Sequence, residues 1–123
     1  MSSKICLFIL IILNLSACGT DNTNTDPAAQ TVESYLQAKI DADTDQIRSL
    51  ICSELESTIE LEAASFASVE ATIDDMACSS DGNIVTCDGQ IMALYGTETR
   101  EIDLTSYRVV QEDGEWRWCG EGN

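Results

Sequence analysis

Residues 107–119 read Y-R-V-V-Q-E-D-G-E-W-R-W-C. Apolar and polar residues alternate on both sides of the central Q-E-D-G, and an Asp-Gly pair between two alternating runs is a strong signal for a β-hairpin. The pattern predicts a turn over Gln111–Gly114 and a short edge strand over Glu115–Cys119 that ends at Gly120. Trp116 and Trp118 then project from one face of this strand, where they serve as core or core-edge anchors or as an aromatic patch for a partner.

The alternation extends upstream and predicts three earlier strands. The first begins after Phe66, slips at Asp74-Asp75 as a β-bulge would require, and ends at a hairpin loop over residues 79–83. The second strand shows one apolar face up to Tyr95, and Gly96 and Thr97 turn the chain again. The third strand is long and carries Ile102, Leu104, Tyr107, Val109 and Val110. The sequence therefore predicts four consecutive antiparallel strands.

Two helices are predicted before the strands. Asp26 followed by Pro27 is a strong start signal, and apolar residues at helical spacing extend this helix from about residue 27 to 41. Asp43, with Gln46 three residues later, resembles a capping box for a second helix. That helix is expected to carry Cys52 on its edge and to continue through the Ala- and Glu-rich segment 57–65.

Helices followed by consecutive antiparallel strands predict an α+β fold, with the helices packed on one face of a curved four-stranded sheet. The segments V-E-S-Y-L-Q-A-K (32–39), L-I-C-S-E-L-E (50–56), F-A-S-V-E (66–70) and Y-R-V-V-Q-E-D-G-E-W-R-W-C-G (107–120) resemble small bacterial lipoproteins with a cystatin-like roll. This is the fold of the nuclear-transport-factor and ketosteroid-isomerase superfamily. The resemblance covers roughly residues 28–119. It implies a cone-shaped cavity between the sheet and the long helix, in a superfamily that includes enzymes, ligand binders and interaction modules.

The amino-terminal segment has the features of an export signal. Lys4 precedes nine consecutive apolar residues, Ile5 to Leu13, and the tetrad L-S-A-C (15–18) resembles the lipobox of bacterial lipoproteins. The resemblance implies removal of residues 1–17, acylation of Cys18, and a polar tether over residues 18–26 before a single domain at 27–123. A transmembrane helix is the alternative, but it needs about 20 apolar residues. We therefore expect a protein anchored by lipid to the cell membrane or the outer membrane and facing the extracytoplasmic side.

Charge limits the possible partners. The chain has 6 basic and 22 acidic residues and a net charge of −16. Lys4 is the only charged residue in the predicted signal, so the net charge after its removal is −17. Nucleic acid is not expected as a partner, because phosphate recognition needs clustered Lys and Arg. The same charge disfavours adsorption on anionic lipid, so membrane attachment is expected through the acyl chains on Cys18.

Four cysteines remain after Cys6 and Cys18 are assigned to the signal and the anchor. An even set in an exported domain predicts two disulfides. The hairpin around Asp81-Gly82-Asn83 places Cys78 opposite Cys87 on adjacent strands, which favours a bridge between them. Cys119 falls two strands from Cys87, about 9.6 Å away and too far for a bridge, so Cys52 on the overlying helix is its expected partner.

Metal sites and cofactors are not expected. Zinc is disfavoured because the chain has no His and no C-x-x-C pair. The segment Asp41–Asp45 resembles the opening of a calcium loop, but an EF-hand needs Gly at its sixth position and Glu at its twelfth. Those positions hold Gln46 and Cys52.

The function prediction has two alternatives. The first is an interaction or binding module without a catalytic site, whose protein or small-molecule ligand the sequence does not identify. The second is a small pocket enzyme of the isomerase or dehydratase kind, which needs an Asp base and an acidic donor in an apolar pocket. The candidate donors are Tyr35, Tyr95 and Tyr107, and the candidate bases are Asp74, Asp75 and Asp103.

Overall fold

The structure is a computed structural model that describes residues 26–122. The predicted signal peptide (1–17), Cys18 and all but the last residue of the predicted tether lie outside these residues. Among the described residues, no helix is both long and apolar enough to cross a membrane.

The first two helices begin where the sequence predicted. Helix α1 spans Pro27–Ile40, and the Ala29 amide donates to Oδ1 of Asp26 at 3.1 Å. Helix α2 spans Thr44–Leu50, and the Gln46 amide donates to Oδ1 of Asp43 at 3.1 Å. Both aspartates therefore act as N-caps, since each satisfies an amide that has no partner within its helix.

The predicted continuation of the second helix is wrong, because the chain is extended at Ile51 and Cys52. There the Cys52 amide donates to the Trp118 carbonyl oxygen at 2.8 Å, and Ile51 forms a parallel bridge to Trp118. Pairing with the sheet replaces the helical hydrogen bonds at this point. The chain then forms a 3₁₀ helix, Ser53–Thr58, and helix α3, Ile59–Ala64. Cys52 thus lies between helices and not on the edge of one.

The sheet has five antiparallel strands, so the predicted count of four is wrong. They are β1 (Glu70–Asp81), β2 (Ile84–Tyr95), β3 (Glu98–Asp103), β4 (Ser106–Glu112) and β5 (Glu115–Glu121). The strand order is β1-β2-β4-β5, and β3 also pairs with β2. The extra strand arises because the predicted long third strand is interrupted at Leu104 and Thr105, which divides it into β3 and β4.

A line of irregularities crosses the sheet at this interruption. The β1–β2 register shifts between Asp74 and Ala77, as the predicted bulge required. Gly89 of β2 has φ +111°, and a Cβ atom there would lie 2.7 Å from the Asp74 carbonyl oxygen, so only glycine permits this close approach. On its other side, the Leu104 amide donates to the Gly89 carbonyl oxygen at 3.0 Å. Bulges of this kind bend the strands that contain them and increase their twist.

The core lies between the helices and the concave face of the sheet, and the predicted α+β class is confirmed. Its largest fully buried side chains come from α1, α2 and three strand or bridge segments: Val32, Tyr35, Ile47, Cys52, Val85 and Val109. The last hairpin turns at Asp113 and Gly114, whose φ angles of +54° and +80° suit the tight turn that Asp-Gly favours. One continuous core joins the described elements except β3, whose six residues are all exposed.

Two disulfides join the four cysteines of the domain, with the predicted partners. Cys78 lies directly opposite Cys87 in the β1–β2 register, and their Cα atoms are 4.0 Å apart. The second bridge joins Cys52 to Cys119, whose Cα atoms are 5.2 Å apart and which are separated by 67 positions in the sequence. It fastens the extended break after α2 to the edge strand β5.

Candidate functional site

The first candidate site is the space between α1 and the concave face of the sheet, which we call the cone. Its cavity has a volume of about 100 Å³. The lining comes from α1, the approach to β1, and strands β2 to β5, and includes Tyr35, Lys39, Phe66, Ile91, Asp103, Leu104, Tyr107 and Trp118. Pockets for drug-sized ligands typically have volumes of about 300–1,000 Å³. Side chains therefore fill most of the cone.

Stacking between Tyr35 and Trp118 closes the cone. Their ring centroids are 3.8 Å apart and the rings are nearly parallel, at 10°. Tyr35 is fully buried and Trp118 is 4% exposed. The indole Nε1 of Trp118 has no hydrogen-bond partner within residues 26–122. The two aromatic rings thus occupy space that an open pocket would leave for a ligand.

The Tyr35 hydroxyl is already committed to a hydrogen bond. It donates to Oε2 of Glu62 at 2.7 Å, and the same oxygen accepts from Nζ of Lys39 at 2.9 Å. Burial, and then the neighbouring Glu62 carboxylate, raise the pKa of Tyr35 well above its usual range. Tyr35 therefore remains protonated at any physiological pH, and its proton is held by Glu62.

Tyr107 and Asp103 also line the cone, beside the polar residues Lys39, Thr105 and Glu121. The Tyr107 hydroxyl accepts from the Thr105 amide at 3.3 Å, and burial raises the pKa of Tyr107 despite the opposing effect of that hydrogen bond. Asp103 is exposed at the rim. An Asp and two Tyr residues therefore line one small cavity, but only Tyr107 has a hydroxyl proton that is not donated to another described residue.

The structure separates the other predicted catalytic candidates from the cone. Asp74 and Asp75 lie exposed at the bulge of β1, and neither lines the cavity. Tyr95 lies at the end of β2, where the Arg100 guanidinium sits 4.9 Å from its ring centroid. Of the six candidates, the cone brings together Tyr35, Tyr107 and Asp103.

Four polar residues at the cone were not predicted from the sequence: Lys39, Thr105 and Glu121, which line the cavity, and Glu62, which binds the Tyr35 hydroxyl. Lys39 follows Tyr35 by one helical turn, so helical spacing could have identified it. Glu62 is separated from Tyr35 by 27 residues and lies on a short helix whose position depends on the break at Cys52. No local signal identifies such a contact.

The second candidate site is an open depression of about 400 Å³ on the outer side of α1, which we call the groove. Its lining comes from α1, the end of α2 and the start of β5, and consists of Pro27, Gln30, Thr31, Ser34, Leu50, Gly114, Glu115, Trp116 and Arg117. Trp116 is partly exposed. Arg117 donates to Oε2 of Glu115 at 2.9 Å and also to the Ser49 carbonyl oxygen.

One further cluster has the composition of a metal site but not its chemistry. Ligand atoms of Cys52, Glu54 and Cys119 lie within 4.8 Å of one another. Both sulfurs belong to a disulfide, so neither is a thiolate. Glu54 in turn accepts from the Arg108 guanidinium at 2.7 Å. Together these bonds leave the cluster without the donor set that a thiolate-bound metal needs.

Comparison with known proteins relates the chain by fold and not by sequence. No protein-family model matches the sequence, and no curated protein matches it. A SEC-C motif containing protein from Rhodopseudomonas palustris matches in structure with a TM-score of 0.57 and 16% identity, over 80% of this chain and 81% of the other.

Two further structures share this fold. A proposed ketosteroid isomerase from Shewanella frigidimarina has a TM-score of 0.53 and 13% identity, over 76% of this chain and 91% of the other. A proposed dehydratase of the NTF2-like family from Streptomyces avermitilis has a TM-score of 0.51 and 12% identity, over 76% and 93%. The chain therefore has the fold of the NTF2-like and ketosteroid-isomerase-like proteins, as its sequence segments predicted.

Proposed function

We propose that this protein is a lipid-anchored envelope protein whose roll domain binds a ligand or partner at its surface, without catalysis in the cone. The observation that carries this proposal is the closed cone. Tyr35 and Trp118 fill it, its cavity is about 100 Å³, and the Tyr35 hydroxyl is bound to Glu62. An enzyme of this fold needs room for a substrate beside an acid and a base.

The anchor rests on the sequence. The apolar run Ile5 to Leu13, followed by L-S-A-C at 15–18, supports acylation of Cys18 and an extracytoplasmic location. The two disulfides of the domain are consistent with an oxidising compartment. The net charge of the domain supports partners other than nucleic acid.

Metabolic labelling with a fatty-acid analogue tests the anchor. The wild-type chain is expected to incorporate label, and Cys18→Ala is expected to remain an unlabelled, full-length precursor. Cys6→Ala is a matched control, because Cys6 lies in the segment predicted to be removed and its loss should leave labelling unchanged. Equal labelling of Cys18→Ala and the wild type would refute the anchor.

A small pocket enzyme is the second candidate, favoured by the convergence of Asp103, Tyr35 and Tyr107 on one cavity. Two structural neighbours are themselves a proposed isomerase and a proposed dehydratase. The test is proton exchange at the α-carbon of a small β,γ-unsaturated ketone, which an Asp base would catalyse. We expect no exchange above the buffer rate. Exchange that is lost in both Asp103→Asn and Tyr107→Phe would favour the enzyme and overturn our proposal.

A further inference from the structure

We infer that the groove binds a neutral oligosaccharide. This inference deepens the proposed function and rests on it, because it names the surface and the ligand class of the binding role. The groove lies outside the cone and shares no lining residue with it. It is open to solvent and has a volume of about 400 Å³, against about 100 Å³ for the cone.

The floor of the groove combines one aromatic ring with a few apolar contacts. Trp116 is partly exposed, although it lies two residues from the buried Trp118 on the same strand. Pro27 and Leu50 also belong to the lining. An indole offers a large flat apolar surface, and its N–H can donate one hydrogen bond. A sugar ring has an apolar face of C–H groups that packs on such a surface.

The wall formed by α1 supplies polar groups at helical spacing. Gln30, Thr31 and Ser34 lie on one face of the helix, since residues three and four apart are neighbours. The Ser34 hydroxyl makes no hydrogen bond to the described part of the chain, and the Thr31 hydroxyl donates to the Pro27 carbonyl oxygen while its lone pairs remain able to accept. The hydroxyls of Thr31 and Ser34 are short donors and acceptors that suit the hydroxyl groups of a sugar.

Charge favours an uncharged ligand. The groove has one acid, Glu115, and one base, Arg117, and these are paired at 2.9 Å. The predicted mature chain carries a net charge of −17 and would repel an anionic polymer, while a cationic ligand would find only a carboxylate that is already paired. A proline-rich peptide is the main neutral alternative, but such peptides dock in grooves lined by several aromatic rings. This groove has one.

The test is a titration of the chain from residue 19 to 123, which contains the whole described core and both disulfides, with tri-N-acetylchitotriose. We expect saturable quenching of tryptophan fluorescence and a matching heat by calorimetry. Trp116→Ala should weaken the affinity about tenfold or more, as expected for a central aromatic contact. Tyr95→Ala is the matched control, because it removes an aromatic ring outside the groove and should leave the affinity unchanged.

A second variant keeps the test valid if Trp116→Ala does not fold. Ser34 is exposed on α1, so Ser34→Arg should fold normally and block the groove with its long side chain. It should weaken binding by a similar factor. Binding that survives in both Trp116→Ala and Ser34→Arg would overturn the inference.

Two other outcomes would also overturn it. One is the absence of saturable binding by chitotriose, cellotriose and maltotriose at millimolar concentration. The other is binding of decaproline in the groove when none of the sugars binds. Since this titration involves no lipid, its result is independent of Cys18: labelled protein without sugar binding would refute the groove alone, and sugar binding by protein that is never acylated would refute the anchor alone.

Discussion

Trp116 and Trp118 lie two residues apart on one face of β5, yet they belong to different kinds of surface. Trp118 is 4% exposed beneath Tyr35 in the closed cone, whereas Trp116 is partly exposed in the open groove. Strand periodicity places both side chains on the same face. Whether that face is covered depends on the helix layer: α1 presents Tyr35 to Trp118, but presents its short polar residues to Trp116. One face of β5 thus contributes one tryptophan to the core and one to the groove that we propose binds the ligand.

Replacing the two tryptophans one at a time should have its largest effect on stability. Trp118→Ala removes a buried indole that stacks on Tyr35, and should lower the free energy of unfolding by about 3–5 kcal/mol. Trp116→Ala should lower it by about 1 kcal/mol or less, because its side chain is partly exposed. Urea unfolding followed by circular dichroism measures both values, with Trp118→Phe as the milder variant if Trp118→Ala does not fold. Equal losses at the two positions would contradict the contrast.

Loss of the disulfide next to Trp118 should also destabilise the domain more than loss of the other disulfide. Cys52–Cys119 flanks Trp118 and closes a loop of 67 residues, whereas Cys78–Cys87 closes a hairpin of 9. By the loop-entropy relation, Cys52→Ser with Cys119→Ser should lower the free energy of unfolding by about 4 kcal/mol, and Cys78→Ser with Cys87→Ser by about 2.5. Urea unfolding of the two double variants measures the difference. The reverse order would contradict it, and non-reducing peptide mapping checks the pairing itself.

Alkaline pH should weaken the cone through Tyr35. Its pKa is raised in the folded state, so above the ordinary tyrosine pKa of about 10 the unfolded chain loses a proton that the folded chain keeps. Stability is therefore fully present below about pH 10 and falls above it, by up to about 1.4 kcal/mol per pH unit for each such tyrosine. In Tyr35→Phe, the free energy of unfolding should fall less steeply between pH 10 and about 11. The fall that remains comes from Tyr107, whose pKa is also raised and whose contribution is smaller. Urea midpoints measured across this range would contradict the account if the two profiles were parallel.

The smallest effect on stability is expected at Asp26, the N-cap of α1. Oδ2 of Asp26 accepts from the Ser80 hydroxyl at 2.7 Å and from its amide at 2.8 Å, and the Ser80 hydroxyl is the main cause of its lowered pKa. Asp26→Asn should lower the free energy of unfolding by about 0.5–1 kcal/mol at neutral pH. Because the folded pKa is lowered, this difference should be present above about pH 4 and disappear as the pH falls further.

Asp43→Asn is the matched control for that prediction. Asp43 caps α2 through the Gln46 amide and has no second strand contact of this kind, and asparagine is an equally good N-cap. Its stability should change little. A loss as large as that of Asp26→Asn would show that capping, and not the link to β1, accounts for the effect.

Local signals were sufficient for much of the fold. Asp26-Pro27 and Asp43 marked the helix starts, Asp113-Gly114 marked the last turn, and Asp74-Asp75 marked the bulge, because each depends on residues next to one another in the chain. Register counted from these turns was also enough to select the cysteine partners that the structure joins.

Features that depend on contacts between distant residues could not be predicted from the sequence. The segment after Leu50 has helical composition, but its backbone is extended at Cys52. The Cys52 amide there donates to the carbonyl oxygen of Trp118, which lies 66 positions later in the sequence. The fifth strand also involves a distant residue, because the predicted third strand is interrupted at Leu104 and Thr105, where the Leu104 amide donates to the Gly89 carbonyl oxygen of β2. The groove could not be predicted from the sequence for the same reason, because its lining comes from three segments that are distant in the chain. Of its lining residues, only Trp116 was identified as a candidate from the sequence.

The chain has two tryptophans, one in the cone and one in the groove, so fluorine NMR of protein labelled with 5-fluorotryptophan reports on both surfaces at once. Trp116→Phe assigns the two signals. On titration with tri-N-acetylchitotriose, the Trp116 signal should shift and saturate, while the Trp118 signal should stay in place because its ring is stacked beneath Tyr35. A saturable shift of the Trp118 signal with no change at Trp116 would show that the cone opens and binds the ligand, and would contradict the account.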